Sequence, residues 1–168
     1  MEKLLLLPLA LLLSFCNGTQ KPLHTQNKPE PVAQGDTPKQ QPAIKQGIAG
    51  KVLWQSGNQM PSPDAPPSKG RGVQRTVYIY ELTNGNQATT TDGVFHTNLQ
   101  TALVTQVVTD ANGNFAASLK PGVYSLFTEE EKGLYANLFD GENNIYPVAV
   151  EEGQVTTVEF LINYAASY

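Results

Sequence analysis

From residue 47 onward the sequence predicts an all-β fold, a sandwich of seven strands, on three observations. Apolar residues recur with period two, not with the period of a helix. The alternating runs are separated by turn residues such as Asn112–Gly113, Pro121–Gly122 and Gly153. The composition favours strands, with seven Tyr, six Phe and many Thr and Val.

The strands follow in order. Ile48, Gly50, Val52 and Trp54 alternate with Ala49, Lys51 and Leu53 in the first. Thr76 to Leu82 has strong β propensity, with Val77 and Ile79 opposite Tyr78 and Tyr80. Gln100 to Thr109 is the third strand, and Asp110–Ala111–Asn112–Gly113 is a tight hairpin turn with Gly113 at positive φ. Phe115, Ala117 and Leu119 share one face of the fourth. Lys120–Pro121–Gly122 is read as a type II turn, again with a glycine at positive φ. Val123 to Thr128 follows, with Tyr124 and Leu126 inward and Tyr124 against Phe115. Tyr146 to Val150 and Val155 to Asn163 complete the set, the last with Val158, Phe160 and Ile162 on one face.

The chain ahead of this domain differs in character. Residues 1–15 read as a signal peptide: Lys3, then an apolar run from Leu4 to Leu13 that is short for a membrane span. Ser14–Phe15–Cys16 follows and resembles a lipobox, in which the cysteine becomes the first mature residue and carries a diacylglyceryl group with palmitate-type chains. Phe15 departs from the small residue usual at that position. Cys16 is the sole cysteine, so no disulfide can form within the chain. Residues 16–46 then read as a lipidated cysteine and a disordered tether rich in Pro and Gln. Thirty flexible residues reach about 30 Å. No acidic residue directly follows Cys16, and the stretch Asn17–Gly18–Thr19–Gln20 points to a periplasm-facing outer-membrane location in the cell envelope. The tether lysines 21, 28, 39 and 45 serve either solubility or a weak attraction to anionic headgroups.

Two stretches of the domain carry a resemblance. Thr109–Asp110–Ala111–Asn112–Gly113–Asn114–Phe115 and Leu119–Lys120–Pro121–Gly122–Val123–Tyr124–Ser125–Leu126 look like the central hairpin of carboxypeptidase regulatory-like domains. That family has a seven-stranded transthyretin-like (prealbumin-like) sandwich. Gly47–Ile48–Ala49–Gly50–Lys51–Val52 is similar to its first strand, and Gly153 to Ile162 to its last. The resemblance implies domain boundaries near 47–168 and a non-catalytic appendage, because zinc and catalysis in those carboxypeptidases belong to another domain. The sequence departs from the family pattern in two long insertions, Ser56 to Gln74 and Asn84 to Asn98. Long loops are where a binding surface is sought.

Composition excludes some partners. From Gly47 the chain carries six basic and twelve acidic residues, which argues against nucleic acid. His24 and His96 are the only histidines, and neither lies in a nucleophile elbow, a zinc motif or a P-loop. The sequence therefore predicts no enzyme, no cofactor and no metal site. Asp110, Asn112 and Asn114, and the loop Asp140–Gly141–Glu142–Asn143–Asn144, supply oxygens, but neither matches a calcium-loop pattern. Glu129–Glu130–Glu131 is either a solvated turn or an acidic patch for a cationic partner. Lys69, Arg71 and Arg75 form either a local anion site or a solvated basic loop. Tyr78 and Tyr80 stand exposed as a binding platform or pack under the long loops. The candidate binding surface is thus Tyr78, Tyr80, Arg71, Arg75, Phe95 and His96, with Cys16 as the lipidation site. The expected role is a non-catalytic envelope lipoprotein, held to membrane lipid through acylated Cys16, whose domain binds an envelope protein. The alternative is a glycan-binding module.

Overall fold

The computed structural model describes residues 43–60 and 68–168; the leader, Cys16, the tether up to residue 42 and the centre of the first insertion lie outside the described residues. Two sheets make up the domain. The first is centred on β1 (Gly47–Asn58), which pairs in parallel with β11 (Val155–Ser167) along nearly its whole length. The other edge of β1 is shared by β7 (Asn114–Ser118) and the two-residue β2 (Arg71–Gly72), both antiparallel. The second sheet runs β4 (Thr89–Thr91), β5 (Phe95–Thr97), β9 (Gly133–Tyr135), β8 (Gly122–Glu130), β3 (Thr76–Glu81), β6 (Leu103–Val108), all antiparallel, with β10 (Pro147–Val150) on the first half of β8. No helix among the described residues is long and apolar enough to cross a membrane.

The all-β sandwich is present, but its strand count exceeds the seven expected. Each expected region holds a strand, and β2, β4, β5 and β9 are additional. Three of them lie in stretches that the sequence presents as polar loops. The second insertion in particular is not a loop. It opens with a capped 3-10 turn at Gly85–Gln87, where Asn86 N–H donates to the Asn84 side chain and Asn84 N–H donates to Gln87 Oε1. It then forms the β4–β5 hairpin.

Between the sheets the core follows the alternation. Ile48, Val52, Phe115, Ala117, Phe160 and Ile162 from the first sheet meet Val77, Ile79, Leu126 and Tyr135 from the second. Tyr146 stacks on Phe160 at 4.5 Å and donates its hydroxyl to the Glu159 carbonyl. Full burial of such aliphatic and aromatic side chains stabilises by about 1.5–3 kcal/mol each.

Local chemistry at residues 110–113 is as expected, but the connection is not a hairpin. Gly113 has φ +85°, and Asp110 Oδ1 accepts from Asn112 N–H and Asn114 N–H. Its flanking strands pair elsewhere, β6 with β3 and β7 with β1, so the turn carries the chain from one sheet to the other. The turn packs on the first sheet: a Cβ on Gly113 would lie 2.2 Å from the Val52 carbonyl oxygen. Residues 120–122 make the return crossing. Gly122 is nearly extended at φ +158°, not in a type II turn. Tyr124 is half-buried rather than buried, and its hydroxyl donates to the Lys120 carbonyl. Thr109 clamps the corner: its N–H donates to Arg75 O, its Oγ1 accepts from Arg75 N–H and donates to Val73 O.

Two stability measurements check this geometry. Gly113→Ala is expected to cost about 3 kcal/mol or more, from backbone strain plus the clash with Val52. Gly153→Ala, at φ +68° with open space around its Cβ position, is expected to cost only about 1 kcal/mol. Thr128 is buried on the inner face, and its hydroxyl has no hydrogen-bond partner among the described residues. Thr128→Val, followed by denaturant titration, is expected to raise stability by about 1 kcal/mol, since it removes a desolvated polar group at constant shape.

Candidate binding site

The outer face of the second sheet, turned away from the sandwich core, is set by strand register. Tyr78 lies opposite Phe127, Tyr80 opposite Ser125, Glu129 opposite Leu134, and Leu134 opposite His96. A sheet face of this kind is ordinarily solvated. Here much of it is covered. Phe127 is fully buried, with Tyr80 edge-on at 5.7 Å and His96 at 5.6 Å. His96 in turn meets Phe139 at 5.9 Å. Ser125 Oγ accepts from Thr83 N–H, and Thr83 O accepts from Ile145 N–H. The second insertion and residues 136–146 thus form a covering layer.

His96 lies at the groove beside Tyr80, but its side chain is buried and offers no exposed surface there. It is fully buried beneath the floor of the site. Its Nε2 lies 3.1 Å from the Ala136 carbonyl, which only accepts, so Nε2 carries the proton; Nδ1 accepts from the Thr90 hydroxyl at 3.0 Å. Burial lowers its pKa, and the Ala136 hydrogen bond opposes that shift. Phe95 is also misplaced by the sequence reading. It points into the core between Tyr135 and Tyr164, at 5.7 and 5.1 Å.

Tyr78 and Tyr80 fall between the two expectations. Both are half-buried, and Tyr80 borders a groove of about 430 Å³. Tyr80, Leu99 and Leu134 give it apolar surface, Thr97 and Asn98 form a polar wall, and Glu129 to Glu131 line its acidic side. Tyr78 donates its hydroxyl to Glu129 Oε2 at 3.1 Å; burial and this carboxylate raise the phenol pKa.

The same hairpin between β8 and β9 borders a second cleft at the open end of the sandwich. Trp54, Arg75, Tyr164 and the three glutamates line it. Arg75 donates from Nε to Glu130 Oε1 at 2.8 Å and lies over the Trp54 ring at 5.7 Å. Tyr164 meets Trp54 edge-on at 5.2 Å and donates to Glu130 Oε2 at 2.9 Å. Its pKa is pushed up to about 12, first by burial and then by Glu130. The Glu130 side chain is 4% exposed and fully engaged. Arg75 is thus spent on a carboxylate and does not join an anion site. Lys69 lines a separate depression with Leu53, Glu159 and Leu161, and Arg71 is exposed on β2. The sequence reading has Trp54 only as a strand residue and does not reach Tyr164, although Tyr164 continues the Phe160–Ile162 alternation.

The two oxygen-rich loops are built alike and use their oxygens internally. Asp110 accepts three hydrogen bonds from Asn112 and Asn114, and Asp140 three from Glu142 and Asn144. These bonds lower the pKa of both carboxyls. Among the described residues no group of three or more His, Cys, Asp or Glu side chains is placed to hold a metal ion. Compared with protein-family models, with curated proteins and with solved structures, the chain finds no match.

The buried imidazole gives a pH prediction. The folded-state pKa of His96 lies below its unfolded value, so the unfolded chain binds more protons in acid. Its contribution is present above about pH 6.5 and is lost as pH falls through the folded pKa. Wild type minus His96→Asn, compared by urea midpoint across pH, is expected to show a difference that shrinks as pH falls below about 6.5. The Asp110 and Asp140 contributions are lost only lower, below about pH 4.

Proposed function

We propose that this chain is a non-catalytic lipoprotein of the cell envelope. Acylated Cys16 holds it to membrane lipid, a tether follows, and a carboxypeptidase regulatory-like domain binds a protein partner. One observation carries the binding role: a groove and a cleft lined by aromatic and acidic side chains sit on either side of the β8–β9 hairpin. Their position supports it. The chain enters the domain at Gln46, whose side chain donates to Leu119 O and accepts from Gly153 N–H. Trp54, at the cleft, is seven residues along β1 from Gly47, about 23 Å at the rise of an extended strand. The hairpin therefore lies at the pole of the domain away from Gln46. The sheet-crossing turns at 110–113 and 120–122 carry the motifs behind the family reading.

A glycan-binding module is the second reading, favoured by the half-buried Tyr80 beside Asn98 and Thr97, a mixture of ring face and planar amide that suits a sugar. The carboxylates beside it favour a protein.

Two measurements test the proposal. Metabolic labelling with an alkyne fatty acid is expected to mark the wild type and not Cys16→Ala; equal labelling of both contradicts the lipoprotein role. A photo-crosslinking residue in place of the exposed Asn98 is expected to capture a discrete envelope protein in cells, whereas the same residue in place of the exposed Ala149, beside the Gln46 pole, captures none.

A further inference from the structure

We infer that the groove on the outer face of the second sheet takes a lysine-rich extended segment of the partner. This rests on the reading of the domain as a protein-binding module and names the chemistry of what it binds.

Charge and shape both lead there. Glu129 and Glu131 are exposed, and neither forms an ion pair among the described residues. The nearby cations are already engaged. Arg75 is held by Glu130, and Lys132, next in sequence to Glu131, turns to Asp92 at 3.1 Å and over the Phe95 ring at 5.4 Å. The hairpin thus presents two uncompensated carboxylates on an already acidic domain.

These carboxylates do not gather into a metal-binding group. They flank apolar surface from Tyr80, Leu99 and Leu134. A lysine side chain fits that combination: its methylene stem covers apolar surface while its ammonium reaches a carboxylate, and a tyrosine face adds a cation–π contribution. The Tyr78 hydroxyl bond to Glu129 fixes one carboxylate at the groove. A neutral sugar has no use for the two charges, and an anionic partner is repelled by them.

Titrating the full chain in detergent with pentalysine, by calorimetry, tests the inference. Binding is expected to weaken as salt rises and to disappear when the lysine amines are acetylated. Glu129→Gln combined with Glu131→Gln keeps side-chain size and the acceptor for Tyr78, and is expected to weaken binding by about threefold or more. Glu151→Gln with Glu152→Gln, on the turn near the Gln46 pole, is expected to leave it unchanged. Equal loss in both double variants would mean general attraction to an acidic domain and overturns the site. Absence of pentalysine binding overturns it too, as does binding of chitopentaose that is lost in Tyr80→Leu and insensitive to the glutamates. If pentalysine fails while the residue at position 98 still captures an envelope protein, the cationic assignment falls and the partner-binding role stands.

Discussion

Ser125, Leu126, Phe127 and Thr128 are four consecutive buried residues in one strand, and this double burial organises the domain. Successive side chains of a strand point to opposite faces, so a strand buried throughout needs cover on both. Leu126 and Thr128 receive theirs from the first sheet. Phe127 and Ser125 receive theirs from Thr83, the β4–β5 hairpin and residues 136–146. His96 and Phe139 give that cover its rings, and Thr83, Ile145 and both His96 nitrogens form its buried hydrogen bonds. The groove exists because this cover stops short of Glu129 and Leu134, leaving the end of the face open beside the Thr97–Leu99 wall.

Much of the sandwich was legible in the sequence. The alternation in β1, β3 and β11 set Ile48 with Val52, Val77 with Ile79, and Phe160 with Ile162 on common faces, and those faces are the buried ones. Short strands were not legible. β4 is three exposed threonines and β5 has three residues, so neither shows a period; their strand character comes from pairing. The turn at 110–113 was read correctly as a local structure and wrongly as a hairpin. Asn-Gly and the Asp110 side chain dictate the reversal, but nothing within the turn says whether its flanks pair with each other or join different sheets.

The site was legible in part for the same reason. Tyr78 and Tyr80 could be set opposite Val77 and Ile79 by parity alone. Phe95 and His96 could not, because a strand of three residues gives no parity to read. The contacts that build the cleft are long-range: Arg75 to Glu130 and Tyr164 to Glu130 join residues 55 and 34 apart in sequence. No spacing rule connects them. What the sequence did offer was the open choice for Glu129–Glu131, and the ion pairs that occupy Arg75 and Lys132 are what weigh it toward a partner.

The central claim is that the outer layer is a second core and not decoration on a finished sandwich. Phe127→Ala tests it most directly, measured by denaturant unfolding beside Leu126→Ala. A true second core predicts a loss of about 3–5 kcal/mol for Phe127, comparable to or greater than that for Leu126. A loss below about 0.5 kcal/mol, with the loss at Leu126 intact, would place Phe127 on an effectively exposed face and contradict the account.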